Sequence, residues 1–238
     1  MTTRRTWETF EAMRQAAEEG DPQAQCYLGV CFQNGQGVPQ DYQEAVKWFR
    51  RAADQDDPVA QCYLGVCYLN GAGVPQEFGE AAKWLREAAE QADPAAQFNL
   101  GMLYETGQGV PQNYAEAVKW YRESAERGYP AAQFNLGVFY ETGQVVPQDF
   151  VEAVKWYHAA AEQELADAQC NLGLCYQTGR GVEQSSGAAV KWFIRAARQG
   201  NKTAQHNLGV HYAATEQANV DAAAAAEAAP ADTGTAPQ

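Results

Sequence analysis

Apolar and polar positions in this chain alternate with the period of an α-helix. Ala24, Leu28 and Phe32 recur at every fourth position and mark one face of a first helix. After a Gly-rich segment comes a second apolar stripe, which consists of Ala45, Trp48, Phe49 and Ala52. No segment shows the apolar and polar alternation that is typical of a half-buried strand. The pattern therefore predicts an all-α protein built from short amphipathic helices.

The two stripes return together every 36 residues, and self-similarity at a fixed period is typical of repeat proteins. Five full repeats, numbered 1 to 5 below, align without a gap and begin at residues 24, 60, 96, 132 and 168. A half repeat precedes them, and another half repeat begins at residue 204. We divide the chain into an N-terminal extension over 1–6, a repeat array over 7–214 and a tail over 215–238. Because the tail is mostly Ala, Pro and acidic residues, we expect it to be disordered.

Turn and capping residues recur at the predicted helix ends. In repeat 1, Gly35 suits the left-handed conformation that ends a helix, and Pro39 prevents continuation of the helix. Asp41 and Glu44 have the spacing of a capping box, which predicts the start of the second helix. Prolines suited to the first position of a helix recur at Pro58, Pro94 and Pro130. Each repeat is therefore predicted to be a helix–turn–helix unit.

Two further positions recur inside the predicted helices. A glycine lies within every first helix, where it costs about 1 kcal/mol relative to Ala; these are Gly29, Gly65, Gly101, Gly137, Gly173 and Gly209. We expect close approach of the partner helix to compensate for that cost. A tryptophan recurs in every second helix, and we interpret the set as packing residues between repeats: Trp48, Trp84, Trp120, Trp156 and Trp192.

These recurring residues resemble the Sel-one-like repeat family, a relative of the tetratricopeptide repeats. The pattern A-x-x-x-L-G-x-x-Y/F-x-x-G-x-G-V, followed by D/N-x-x-x-A-x-x-W-x-x-x-A-A, runs from about residue 7 to residue 214. The resemblance implies stacked antiparallel helix pairs in a right-handed α/α superhelical solenoid. It also implies that the first helices line a concave face while the second helices lie outside.

Repeats 4 and 5 depart from this pattern in their loops. Val145 replaces the second loop glycine of repeat 4, so that loop must either avoid a positive φ or bear strain. Repeat 5 has the segment GVEQSSGAAVKW, which lacks the proline, the aromatic residue and the capping glutamate of the other repeats. We expect this loop to be looser, or else to serve a separate contact.

Six cysteines recur in pairs that raise the question of a disulfide or a metal centre. Repeats 1, 2 and 5 have Cys26 and Cys31, Cys62 and Cys67, and Cys170 and Cys175 at the same two positions. Repeats 3 and 4 and the last half repeat have Phe, Leu or His at these positions. A position that exchanges Cys with Phe and Leu behaves as an apolar packing position. The five-residue separation on one helix suits neither a disulfide nor a tetrahedral metal site. Some members of the family bridge their two helices by cysteine pairs, but no second helix here contains a cysteine.

The sequence offers no catalytic constellation. Some relatives bind or hydrolyse β-lactams, so we considered a serine nucleophile, and the only serines are Ser124, Ser185 and Ser186. None of them begins an S-x-x-K motif. Glu44, Glu80, Glu116 and Glu152 recur once per repeat, which suits helix starts better than a paired acid and base. We expect no enzyme activity, no cofactor and no metal.

Charge limits the class of partner. A formal net charge of −13 and a pI near 4.6 argue against binding to nucleic acid or anionic lipid. A charge-steered partner is expected to be neutral or basic. The sequence shows neither a signal peptide nor a membrane span, so we expect a cytoplasmic location, although secretion by another route stays open. Six unpaired thiols also suit a reducing compartment.

The resemblance implies which side chains face the concave groove. Repeats 3 and 4 would present Phe98, Asn99, Met102, Glu105, Phe134, Asn135, Val138 and Glu141, and repeat 5 would add Asn171. An amide ladder beside an apolar strip can bind an extended peptide. Alternatively, the phenylalanines pack between first helices and the asparagines face water. One glutamine recurs in every repeat, and we expect its side chain to form hydrogen bonds with backbone or loop groups between repeats. The set is Gln25, Gln61, Gln97, Gln133, Gln169 and Gln205.

The sequence thus predicts a non-enzymatic adaptor or scaffold that binds a protein or peptide in its concave groove. A β-lactam-binding or hydrolase-like activity is the alternative that the resemblance leaves open. Self-assembly through the open ends of a solenoid is a third possibility. The sequence does not specify the oligomeric state or the partner.

Overall fold

The structure is a computed structural model that describes residues 9–213 and residue 216. In this part of the chain the residues form α-helices and connecting turns, with no strand, which confirms the predicted all-α repeat fold. The predicted extension over residues 1–6, and all of the predicted tail except Glu216, lie outside the described residues. The helices are α1 (Phe10–Glu18), α2 (Pro22–Asn34), α3 (Tyr42–Ala53), α4 (Pro58–Asn70), α5 (Phe78–Glu90), α6 (Pro94–Thr106), α7 (Tyr114–Glu126), α8 (Pro130–Thr142), α9 (Phe150–Glu162), α10 (Ala166–Thr178) and α11 (Ser186–Arg198).

A further helical stretch over residues 202–213 follows α11. The chain divides into two compact parts, one up to residue 159 and the other from residue 160 onward. Within each part, successive helices pack as the pairs that the repeat predicts. In the first part, α2 packs on α3, α4 on α5 and α6 on α7. In the second part, α10 packs on α11.

The second helix of repeat 1 begins at the N-cap residue that the sequence predicts, but only one half of the predicted capping box forms. The Asp41 side chain accepts hydrogen bonds from the backbone N–H groups of Gln43 and Glu44, as an N-cap should. The reciprocal half of a capping box is replaced, because the Asp41 N–H donates to the carbonyl of Phe32 in α2 at 2.9 Å. The same bond to the preceding first helix recurs at Glu77, Asn113, Asp149 and Ser185. The N-cap residue therefore also fastens the two helices of a repeat together.

The glycine inside each first helix makes room for one large side chain of the second helix. A Cβ atom placed on Gly29 would lie 2.6 Å from the ring of Phe49, the residue after the repeated tryptophan. Leu85, Tyr121, Tyr157 and Phe193 stand in the same relation to Gly65, Gly101, Gly137 and Gly173. These five large side chains are at most 1% exposed, whereas Trp48 and Trp84 are 7% exposed and Trp120, Trp156 and Trp192 are half-buried. The tryptophans do pack, but the deepest position of the core is the one that follows them.

Polar contacts join one repeat to the next. The predicted role of the repeated glutamines is confirmed, because each donates its side-chain N–H to a carbonyl near the end of the preceding second helix. The acceptors for Gln25, Gln61, Gln97, Gln133, Gln169 and Gln205 are Ala17, Ala53, Ala89, Ala125, Ala161 and Ala197. On the side of the second helices, an arginine donates to a tyrosine hydroxyl of the next repeat. These pairs are Arg50 with Tyr68, Arg86 with Tyr104 and Arg122 with Tyr140.

The irregular loops of repeats 4 and 5 adopt different solutions to their missing residues. Val145 has a φ of 70° and therefore bears the strain of the left-handed region, rather than avoiding it. Its side chain is 50% exposed. In repeat 5, Ser185 supplies the N-cap by accepting a hydrogen bond from the Ala188 N–H, so the loop ends in an ordinary helix start.

All six cysteines are buried, and none of them forms a disulfide bond. Burial raises the pKa of the Cys67 thiol to about 11, and burial followed by the charge of Asp167 raises the pKa of Cys170 to about 11. The thiols of Cys67 and Cys170 therefore stay protonated near neutral pH and fill space as small apolar side chains. No group of His, Cys, Asp and Glu in the described residues is arranged to hold a metal ion. Nor does the described chain include a helix with the length and apolarity needed to cross a membrane.

Candidate binding surface on the first helices

Helices α6 and α8 position the residues that the sequence assigned to a groove. Met102 and Glu105 lie on α6. Val138 and Glu141 lie at the equivalent positions of α8, and Asn135 lies three residues before Val138 on the same helix. All are half-buried, as expected for the rim of a packed surface. Asn171 on α10 is also half-buried but belongs to the part of the chain that begins at residue 160.

Phe98 and Phe134 contribute to the packing of the second helices. The Phe98 ring lies 5.7 Å from the ring of Tyr121 and 5.2 Å from that of Tyr129, between ring centroids. The Phe134 ring lies 5.8 Å from that of Tyr157. Both arrangements are tilted aromatic contacts of ordinary length. Both side chains are half-buried, so part of each also remains accessible at the surface.

The asparagines differ in what their amides bind. The Asn99 side-chain N–H donates to the carbonyl of Ala95 at 2.8 Å, one turn earlier in the same helix. One of the two N–H groups of this amide is therefore used within the helix. Asn135 makes a hydrogen bond to the Tyr121 hydroxyl of the preceding repeat. A continuous ladder of amides with all donors directed at a peptide is not formed in repeats 3 and 4.

The two acidic groove residues are held by buried tyrosines. The Tyr121 hydroxyl donates to Glu105 at 2.6 Å, and the Tyr157 hydroxyl donates to Glu141 at 2.5 Å. Burial, followed by the hydrogen bond to Glu105 and its charge, raises the pKa of Tyr121 well above its usual range. The Tyr121 phenol therefore stays a donor, and it fixes one oxygen of the Glu105 carboxylate.

A small cleft opens beside the Glu105 carboxylate. It has a volume of about 90 Å³ and is lined by Glu105, Asn135, Val138, Phe139, Thr142 and Gln144. Three of these six residues were predicted as groove residues from the sequence. Thr142 and Gln144 come from the end of α8 and the following loop, whose side-chain directions the repeat pattern does not specify. The cleft combines a carboxylate, amides and an apolar wall in a space of the size of one side chain.

The serines considered as nucleophiles lie in the core or at the start of a helix. Ser124 is fully buried, and its hydroxyl donates to the carbonyl of Pro94 at 2.6 Å. Ser185 caps α11, and Ser186 is the exposed first residue of that helix.

The family model of the Sel1 repeat matches residues 22–57, 58–93, 94–129, 130–165 and 166–201. The chain belongs to the Sel1 repeat family. Repeats of this family act in interactions between proteins, which gives the candidate surface its general context. Each match begins two residues before the repeat start that we chose from the sequence, so that in the first four matches Pro22, Pro58, Pro94 and Pro130 come first.

Solved Sel1 repeat structures resemble this chain over most of its length. A protective antigen from uropathogenic Escherichia coli strains, which displays an SLR fold, is 38% identical with a TM-score of 0.77 and covers 84% of this chain. A Sel1 repeat protein from Oxalobacter formigenes is 37% identical with a TM-score of 0.79 and covers 84% of this chain. The match spans only 43% and 58% of those two chains, so this Sel1 repeat protein corresponds to about half of each. No curated protein matches the chain.

Proposed function

We propose that this Sel1 repeat protein is a non-enzymatic adaptor or scaffold that binds a segment of another protein along α6 and α8. The observation that carries the proposal is the cleft beside Glu105. Its carboxylate, its amides and the apolar side chain of Val138 are half-buried or at the surface, where a ligand reaches them, and Phe139 forms the buried floor behind them. Helical grooves with anchoring pockets of this kind bind peptides by taking up one side chain per pocket.

The preferred segment is basic. Tyr121 binds one oxygen of Glu105 and holds this half-buried carboxylate beside the cleft, where it can accept from a ligand. A Lys or Arg side chain supplies the matching charge-assisted donor. The net charge of −13 attracts such a segment at a distance.

The test uses a library of displayed random peptides selected on the full chain, followed by affinity measurement in solution for the selected peptides. Basic residues should be enriched among the selected sequences. Val138→Glu should weaken binding of those peptides by about tenfold or more, because it places a charge in the apolar wall. Val151→Glu is the matched control, since Val151 is 55% exposed on the second helix α9. Equal affinity for wild type and Val138→Glu would show that peptides bind elsewhere.

A β-lactam-binding or hydrolytic role receives no support from the serines, which are buried or placed at a helix start. Turnover of a chromogenic β-lactam that Ser185→Ala or Ser186→Ala abolishes would reverse the ranking of the two functions.

We also propose a reducing compartment such as the cytoplasm, and the support is the six buried cysteines, none of which forms a disulfide bond. Fractionation of the source cells followed by detection of the chain tests this location.

A further inference from the structure

Val145 has a backbone conformation that is unfavourable for its side chain. Its φ is 70°, and a β-branched residue is strained at a positive φ. The glycines at the same position in repeats 1, 2, 3 and 5 have φ values from 71° to 76°; they are Gly37, Gly73, Gly109 and Gly181. The loop of repeat 4 therefore keeps the conformation of the other repeats and bears the strain, instead of changing shape.

The surroundings of the loop hold this conformation in place. The Gln148 side-chain N–H donates to the carbonyl of Glu141 at 2.8 Å. The Asp149 N–H donates to the carbonyl of Tyr140 at 2.9 Å. Val146 packs against the core cluster that α7 and α8 share. A strained residue persists where its neighbours determine its conformation in this way. These contacts therefore allow a valine at position 145, but none of them uses its side chain.

The Val145 side chain gains little from the fold in return. It is 50% exposed, whereas the next residue, Val146, is half-buried against the core. In repeats 2 and 3, a Cβ atom at this position would clash with the backbone carbonyl of Tyr42 or Phe78, the first residues of the second helices α3 and α5. A side chain here thus meets both an unfavourable φ and a neighbouring backbone. Glycine is the residue that the fold favours at this position.

Val145 lies at the same junction between repeats 3 and 4 as the cleft. It directly follows Gln144, which lines the cleft, and consecutive Cα atoms are about 3.8 Å apart. By the geometry of repeats 2 and 3, position 145 also lies beside the start of α7. Gln112, just before α7, donates to the carbonyl of Glu105 at 2.8 Å and to the hydroxyl of Tyr114 at 3.1 Å. The exposed valine and the Glu105 cleft are therefore neighbours on one surface.

We propose that Val145 is a second contact for the protein segment that binds in the cleft, and that this segment has an aliphatic residue within two positions of its basic residue. The inference rests on the function proposed above and defines the partner more closely. The basic residue binds Glu105, and the aliphatic residue covers Val145 and removes apolar surface from water. An extended segment advances about 3.3 Å per residue, so nearby side chains reach both contacts. The strain at Val145 is then offset in the complex.

The test compares affinity and stability in the same variants, with the basic peptides selected on the full chain as ligands. Val145→Gly should weaken their binding by about fivefold or more, because the apolar contact is lost. The same variant should be more stable than wild type in urea, because the strain is relieved. A residue with a structural role alone would not lower affinity while its replacement raises stability.

Val145→Thr separates the apolar contact from the strain. Threonine has the same branched shape and the same penalty at positive φ, but a hydroxyl replaces one methyl group. Affinity should fall by about threefold or more, with no gain in stability. Val151→Thr is the matched control, since Val151 is 55% exposed on α9, and it should leave affinity unchanged.

The peptide provides the other half of the test. The selected sequences should have an aliphatic residue within two positions of the basic one, and its replacement by Ser should weaken binding to wild type. The same replacement should have a smaller effect on binding to Val145→Gly, because the two side chains no longer meet. Full additivity of the two changes would contradict a direct contact.

Two outcomes distinguish this inference from the function on which it rests. If peptides bind Val145→Gly and Val145→Thr as tightly as wild type but bind Val138→Glu weakly, the second contact is wrong and the cleft remains the binding site. If affinity is the same for wild type and all three variants, both proposals are wrong, because the peptides bind elsewhere.

Discussion

The Tyr121 hydroxyl donates to the Glu105 carboxylate over 2.6 Å, and this contact links the core of repeat 3 to its exposed face. The same pair recurs as Tyr157 with Glu141 in repeat 4. Where the second helix carries Phe49, Leu85 or Phe193 instead, the position of the glutamate is occupied by Gln33, Leu69 or Gln177. A carboxylate is thus present at this position only in the repeats whose tyrosine can bind it.

Tyr121→Phe should lower the free energy of unfolding by about 2 kcal/mol, since it removes a hydrogen bond to a charged group and leaves Glu105 without its donor. Urea denaturation of wild type and variant measures the change. The double variant Tyr121→Phe with Glu105→Gln recreates the Phe49 and Gln33 pair of repeat 1, and should recover part of the loss. Strict additivity of the two single changes would contradict a direct coupling between the residues.

Gly101→Ala should destabilise the protein although Ala favours a helix. The new methyl group would lie 2.9 Å from the Tyr121 ring and 3.2 Å from the carbonyl oxygen of Ala117, and the backbone oxygen cannot rotate away. We expect a loss of about 2 kcal/mol in the free energy of unfolding. Gly209→Ala is the matched control. It should be neutral or gain up to about 1 kcal/mol, because no atom of the described residues lies within 4 Å of the added methyl group and Ala has the higher helix propensity.

Val145→Gly should stabilise the protein by about 1 kcal/mol, because a glycine has no steric penalty at the φ of 70° found there. Thermal and urea unfolding both report the gain. The reverse change, Gly109→Val in repeat 3, should cost more than Val145→Gly gains, since a Cβ on Gly109 would lie 2.1 Å from the carbonyl oxygen of Phe78. A loss of stability in Val145→Gly would mean that the valine side chain makes contacts that outweigh its strain.

Asp57 provides a pH-dependent prediction. Burial and the nearby carboxylates of Asp93 and Asp21 raise its pKa, against the lowering effect of the backbone N–H groups that it caps. An acid whose pKa is raised on folding stabilises the fold most below its unfolded pKa, and that contribution is lost as pH rises through the folded pKa. Asp57→Asn keeps a capping oxygen without a charge.

The Asn variant should therefore be at least as stable as wild type at pH 7, and the advantage should shrink or reverse at acid pH. Urea denaturation of both proteins across this pH range measures the difference. Asp57→Ala is the control for the cap itself and should be less stable than Asp57→Asn by about 1 kcal/mol at either pH, because neither side chain titrates. If the difference in stability between wild type and Asp57→Asn does not vary with pH, folding does not raise the pKa of Asp57, and the prediction is wrong.

The sequence by itself determined the helices, their pairing and the family, because the apolar period and the helix glycine of one repeat recur in the other four full repeats. Gly29 and its equivalents indicated a close helix approach, and the cysteines were interpretable because other repeats place Phe and Leu at the same positions. Recurrence of this kind allows each residue to be compared with its equivalents in the same chain.

Only the tertiary structure decided which side chain reaches each glycine, how Phe98 and Phe134 divide between core and surface, and where a cleft opens. These depend on the rotation of one helix against the next, and a rotation of a few tens of degrees moves a side chain from core to groove without any change in the apolar pattern. For the same reason the bond between Tyr121 and Glu105, sixteen residues apart, became visible only when α6 and α7 were placed against each other.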